Sequence, residues 1–387
     1  MTKPTYKTWG TDIDPKATAQ MEAAISLPIS VAGALMPDAH VGYGLPIGGV
    51  LATEDAVIPY GVGVDIACRM MMTIFDVPPK VVQTEHDLYK TAIEKNTRFG
   101  VGSEWKERKH HDVMDEDWNV SPVTRELKDK AHRQLGTSGS GNHFVEFGEV
   151  EFEGDEIGME AGTYLALLSH SGSRGTGAAV ADYYTKLAKK LHPELIGQAR
   201  SLAWLDTNNE GVEYWTAMEL MGKYASANHH IIHESIIKFL RHPVLKQIEN
   251  HHNFAWREKH QGRDVIVHRK GATPAGKGML GIIPGSMGTP GFVVEGLGEP
   301  TSLNSTSHGA GRRMSRKAAM KNFTWWETKE FLQKQGVVLL SAGLDEAPWA
   351  YKNINDVMNA QLDLARPIAR FMPRLVKMAP AGERPED

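Results

Sequence analysis

The sole cysteine, Cys68, stands three residues after Asp65 in "GVGVDIAC". Further along, His143, His170 and His252 each lie in a short segment rich in glycine, serine or asparagine: "GSGNHFVE", "SHSGSRG" and "NHHNF". Thiolate, imidazole and carboxylate are the donors that divalent transition ions take. Five such donors overfill one tetrahedral site, but a thiolate shared between two ions accommodates them, and paired ions are a recurring phosphoryl-transfer device. No CxxC or HExxH element reinforces the spacing, and a lone cysteine is more often a small buried hydrophobe. On residue types alone both readings of Cys68 stay open, and thiolate and imidazole donors alone point to zinc.

A second chemistry is written in glycine. "GTSGSGNH" (136–143), "IIPGSMGTPG" (282–291) and "SHGAGRR" (307–313) are turns whose backbone N–H groups can form an anion cradle. None carries the Lys-Ser/Thr of a P-loop. In the last of them His308 precedes a Gly-Ala-Gly turn and Arg312 and Arg313 follow. A neutral imidazole there can attack phosphorus while arginines hold charged oxygens. It can equally cap a turn, and the run Arg312, Arg313, Arg316, Lys317, Lys321 can be a solvated helix face.

Composition bounds these readings. The 387 residues carry a net charge of −4, so any nucleic-acid contact needs a local basic patch. One cysteine cannot form an internal disulfide, which suggests a reducing compartment. With no signal-peptide core at the start and no long apolar run, a soluble, cytoplasmic protein without membrane contact is expected.

The elements that position these groups are partly legible. Ser121, Pro122 and Gly136 punctuate one helix, a second covers about 178–191, and a third runs from about Tyr214 to Leu240. Asn228 falls on the apolar stripe of that third helix. Strands are expected at "YLALLSH", "DVIVHRK", "FVVEGL" and "VVLLSAG". Each leads into a turn with glycine, histidine or serine. The fold class is therefore mixed α/β (α+β), with strands delivering Gly-rich loops to a central site. No linker divides the chain, so residues 1–387 form one domain, with 104–118 as an exposed loop.

The ordered set "GVGVDIAC", "GSGNHF.E", "HSGSRG", "HHN", "HRKGAT", "IPGSMGT" and "HGAGR" resembles the RtcB-type RNA-splicing ligases, from about residue 36 to Tyr351. The resemblance implies the RtcB-like fold and an enzyme that joins RNA with a 3′-phosphate or 2′,3′-cyclic phosphate end to a 5′-hydroxyl end, using GTP and two Mn²⁺ ions. It implies that Asp65, Cys68 and His143 hold one ion and Cys68, His170 and His252 the other. His308 would be the nucleophile that accepts GMP. Asn142, Asn253, Pro284, Gly285, Ser286, Met287, Gly309, Ala310 and Gly311 would surround the nucleotide. Phe144 and Tyr351 would sandwich guanine, with Val145 beside it and Glu146 on its polar edge. Relatives often use an activating helper protein.

Four departures from the family pattern mark a divergent paralogue. Arg69 replaces a glycine after the cysteine, putting a cation beside the metal pair to bind substrate phosphate or repel the ions. His229 replaces an arginine after Asn228, and Gly291 replaces a serine near guanine. Lys377 is out of register with a guanine-binding lysine close to the end of the chain. They leave two alternatives beside ligation: a two-metal cyclic phosphodiesterase or nucleotidyltransferase, and a nonenzymatic RNA-end binder.

Overall fold

A computed structural model describes residues 4–382, so the last five residues of the C-terminal tail lie outside it. Two sheets organise the chain. The larger runs in the order Leu280–Ile283, Gly291–Gly296, Ala365–Met378, Phe144–Phe152, Gly162–Ser171, Arg69–Phe75, Val244–His251. Val338–Ser341 pairs in parallel with Ala365–Met378 beside this path. The smaller sheet runs Tyr6–Thr8, Ser30–His40, Ile47–Thr53, Arg263–Lys270, Asn253–His260.

Sequence pattern explains the layering. "RMMMTIF" (69–75) is buried throughout, as a central strand covered on both faces must be. Because successive side chains alternate, Met70, Met72 and Ile74 join a cluster with Val293 and Phe371. Phe75 packs instead with Ile232 and Ile236 of the long helix Glu210–Leu240. That helix buries its apolar stripe, including Tyr214, Met218, Met221 and Ala225, as the spacing predicts. Asn228, the odd amide on the stripe, is fully buried and satisfied. Its Oδ1 accepts from Gly136 N at 2.7 Å, and its Nδ2 donates to Thr137 O at 2.9 Å and Ser171 Oγ at 3.3 Å.

The helix Pro122–Gln134 begins in a Ser121–Thr124 capping box, in keeping with the predicted punctuation. The helix expected over 178–191 starts earlier, spanning Arg174–Leu191. Residues 104–118 are only partly an exposed loop. Val113, Met114 and Trp118 are buried in the main helical core, because a polar composition does not prevent three apolar side chains from anchoring the segment.

The two sheets meet where the reactive residues lie. His251 pairs with Arg69 in the larger sheet and Asn253 pairs with Lys270 in the smaller. His252 sits between them, its N–H donating to Cys68 O at 3.0 Å and its carbonyl accepting from Ala272 N at 3.1 Å. Among the described residues no helix is long and apolar enough to cross a membrane.

Candidate active site

Cys68 immediately precedes a strand and His170 sits near the end of the neighbouring one, where Met70 pairs with His170. The five predicted donors form a chain with sulfur at its centre. Asp65 Oδ2 lies 3.1 Å from His143 Nε2. Cys68 Sγ is 3.6 Å from His143 Nε2 and 3.0 Å from His170 Nε2. His170 Nε2 is 3.3 Å from His252 Nε2. All are buried.

Their orientation is fixed from behind. His143 Nδ1 faces Ser138 O at 2.9 Å and His170 Nδ1 faces Asn142 O at 3.1 Å. A carbonyl can only accept, so each Nδ1 carries the hydrogen and each Nε2 presents a lone pair toward the sulfur. Burial, then the neighbouring His143, pushes His170 down to about 3. Burial followed by His308 and His170 holds His252 well below its ordinary value. Burial raises the Asp65 carboxyl, but its neighbours His143, Cys68 and Arg174 outweigh that and leave it lowered. These are neutral imidazoles and a carboxylate, the forms that ligate cations. His252 Nδ1 is buried without a partner, and lone pairs face one another across the cluster. A cation fits that donor set. Asp65 also explains Gly172, because its carboxylate oxygens lie 2.1 and 2.2 Å from where a Cβ would stand.

His308 follows the short strand Ser305–Ser307, and its ring centroid lies 5.0 Å from that of His252. Its Nδ1 is 2.6 Å from Asp38 Oδ2. Asp38, which sequence reasoning did not single out, is fully buried in the strand Ser30–His40. The same Oδ2 accepts from His308 N at 3.1 Å and Gly309 N at 3.3 Å. The first two N–H groups of the "HGAG" turn therefore bind the protein's own carboxylate rather than standing free for a phosphate. Gly311 has φ +73°, and the carbonyl oxygen of Asp38 lies 2.1 Å from where its Cβ would be, so no side chain is admitted.

Donors and His308 open on one cavity of about 970 Å³, large enough for a nucleotide. Asn142, Phe144, Glu146, Asn253, Pro284, Gly285, Ser286, Met287, Gly309, Ala310, Gly311 and Tyr351 line it. The "PGSMGT" turn is closed on itself by Ser286 Oγ and Thr289 Oγ1 at 2.8 Å. Asn253 Oδ1 accepts from Gly271 N and Nδ2 donates one hydrogen to Asp65 O, leaving one amide hydrogen. Val145 does not line the cavity. Its side chain packs with Phe75, Phe147 and Ile232 on the opposite face, because strand alternation turns it away from Phe144 and Glu146.

At the far end burial holds the Glu146 carboxyl well above its ordinary value. Tyr351 bonds Glu346, and Arg312 lies over its ring at 5.1 Å. Arg316 pairs with Asp345 at 2.8 Å and with Glu346. Arg312 and Arg316 thus belong to an ion-pair network around Tyr351 in the cavity wall, not to a freely solvated face. Across the sheet from Glu146 and Phe144 stand Val376 and Met378, which line the cavity. Lys377, between them, points to the other face, 3.6 Å from Glu94. Gly291 lines the cavity with no side chain to offer.

Arg69 also turns away. Its guanidinium donates to Gly222 O at 3.3 Å and lies 3.5 Å from Glu249. It is absent from the cavity wall, so neither phosphate binding there nor an unbalanced charge at the cluster follows. His229 is buried against Ser169 Oγ at 2.8 Å. Sequence reasoning also passed over Lys270, read only as the end of a strand. It lines the cavity, its ammonium bonds the carbonyls of Tyr43 and Tyr60, and burial lowers it to about 7.

The arrangement is that of a mixed α/β protein with a buried cluster of cysteine, histidine and aspartate side chains beside a carboxylate-oriented histidine. The family model described as "tRNA-splicing ligase RtcB" matches residues 20–120 and 114–378. The chain is 33% identical to the RNA-splicing ligase RtcB of Escherichia coli (strain K12), over 94% of each. It is 30% identical to the tRNA-splicing ligase RtcB of Thermococcus kodakarensis, covering 88% of this chain and 86% of that one. The chain belongs to the RtcB family of RNA ligases.

Proposed function

We propose that this protein joins RNA bearing a 3′-phosphate or 2′,3′-cyclic phosphate to RNA bearing a 5′-hydroxyl, through GMP carried on His308. The observation that carries the proposal is the placement of His308. Asp38 occupies its Nδ1, which leaves Nε2 with the lone pair, and the donor cluster lies one ring away in the same cavity.

Asp65, Cys68 and His143 on one side, and Cys68, His170 and His252 on the other, would hold two Mn²⁺ ions. Bound there, they supply Lewis acidity toward phosphate oxygens. His308 Nε2 attacks the α-phosphorus of GTP; an N–P bond forms and the bond to pyrophosphate breaks. Water opens a cyclic phosphate where one is present. An oxygen of the RNA 3′-phosphate then attacks the GMP phosphorus and releases His308, giving an RNA-pp-G end. The 5′-hydroxyl attacks the RNA phosphorus and GMP leaves. Phe144 and Tyr351 flank the base, Glu146 meets its edge, and the turn 284–287 lies along the nucleotide.

A second reading has one observation in its favour. Val376, Met378 and Gly291 place no polar side chain beside Glu146 at the base end of the cavity. Missing base contacts can each cost about 1–3 kcal/mol, and a centre so altered could open cyclic phosphates without joining ends. The test is incubation of two short oligonucleotides, one ending in a 2′,3′-cyclic phosphate and one in a 5′-hydroxyl, with GTP and Mn²⁺. The proposal expects a joined product that depends on GTP. Ring opening alone supports the second reading, and neither reaction rejects both.

A further inference from the structure

The loop 41–46 links the strands Ser30–His40 and Ile47–Thr53 at the cavity mouth, and its backbone is clamped from three directions. The buried Gln20 amide donates to Gly42 O at 2.6 Å and accepts from Gly42 N at 3.1 Å. Lys270 Nζ donates to Tyr43 O. At Gly44, φ +72°, Ser201 O lies 2.7 Å from where a Cβ would stand. In the middle of this fixed backbone the Tyr43 side chain is left in solvent, 73% exposed, while still lining the cavity that holds His308. His40, at the near end of the loop, has its ring 6.5 Å from that of His308.

A second aromatic continues the surface. Tyr60 supplies the other carbonyl that Lys270 bonds, at 3.2 Å. Its phenol is held above its ordinary value by burial, then by Asp182 and Tyr43, with Lys186 opposing. Lys189, on the helix Arg174–Leu191, places its ammonium 4.8 Å over the Tyr60 ring. Tyr43 in the cavity wall and Tyr60 beyond it are thus tied together through Lys270, and Lys189 places a cation beside the second ring on a chain whose net charge is negative. Single-stranded RNA is gripped by such combinations, with bases stacked on aromatic rings and phosphates met by cations. A ring on an immobilised backbone costs little further entropy when a base stacks on it.

We propose that Tyr43 is a stacking platform for a base of the RNA strand whose end reaches His308, with Tyr60 and Lys189 continuing the path. This rests on the ligase reading above. The test uses the full chain with Mn²⁺, GTP and purified oligonucleotides. Tyr43→Ala is compared with Tyr43→Phe and Tyr43→Trp, on ends carrying an abasic nucleotide at one of the last positions, each strand in turn. Labelling of His308 by GTP is the internal control. The expected result is a loss of kcat/KM for joining of about 5–100-fold in Tyr43→Ala, recovered by Phe and Trp. One abasic position should reproduce the loss in the wild type and add nothing in Tyr43→Ala. An indifferent Tyr43→Ala, or a loss that abasic ends leave unchanged, overturns the inference. The latter outcome would assign the ring to the loop's own fold. A wild type that neither labels nor joins overturns the ligase reading, and this inference with it.

Discussion

Asp38 Oδ2 and His308 Nδ1 lie 2.6 Å apart, although 270 residues separate them in sequence. The carboxylate sits on a strand of the smaller sheet and the histidine on a Gly-rich turn. Their contact dictates which imidazole nitrogen faces the cavity with a lone pair. Asp38→Asn preserves shape and removes the charge that stabilises a cationic or phosphorylated ring. Single-turnover transfer of GMP onto His308 is expected to fall about 10²–10⁴-fold, with unchanged metal content. A rate within twofold of wild type would show that Asp38 does not orient the nucleophile.

Cys68→Ser removes the one donor common to both halves of the cluster. Reconstituted wild-type protein is expected to retain two equivalents of Mn²⁺ by elemental analysis, and Cys68→Ser one or fewer, with an unchanged far-ultraviolet spectrum. Full retention of both ions in the serine variant would remove the sulfur from its central place.

Glu146 yields a pH-dependent prediction. Its folded pKa lies above the ordinary carboxyl value because burial penalises the charge. The native state therefore keeps a proton that the unfolded chain releases, and stability falls as pH rises from the ordinary value toward the raised one. Glu146→Gln lacks that penalty. Its Tm should match wild type near pH 4.5 and exceed it increasingly above that, while labelling by GTP weakens about tenfold for loss of a hydrogen bond to the base. Parallel Tm profiles across that range would contradict the assignment.

Asn228 ties the long helix to the turn before Asn142 and His143 through two hydrogen bonds and to Ser171 through a third. Asn228→Ala strands Gly136 N and Thr137 O in the interior. Stability should fall by about 2–4 kcal/mol by denaturant titration, with weaker metal binding as His143 loses its support. A loss below about 0.5 kcal/mol would mean that water or a shifted backbone replaces the amide.

Residue types alone left the donor set open; the ordered motifs of the family resemblance singled out the five side chains that the structure brings together. The long helix was legible from its apolar spacing, and Asn228 stood out by breaking it. Asp38 was not legible. Within "MPDAH" nothing marks a carboxylate that will meet a turn 270 residues later. Lys270 was hidden the same way, since a lysine closing a strand normally points to solvent. Val145 and Lys377 mark the limit of motif reading. Both lie beside residues that face the cavity, and the two-residue period of a strand sends them to the other side. Arg69 was misread for a related reason. Adjacent in sequence to Cys68, it is directed by the same alternation toward Glu249 and away from the cluster.

The most direct test of the central claim is intact-mass analysis and peptide mapping of Mn²⁺-loaded protein after incubation with GTP. Covalent GMP is predicted on His308 of the wild type, acid-labile and alkali-stable as an N–P bond requires, and absent from His308→Ala. Metal-loaded wild-type protein that stays unmodified, or that carries GMP on any other residue, would contradict the assignment of His308 as nucleophile beside a metal-binding cluster.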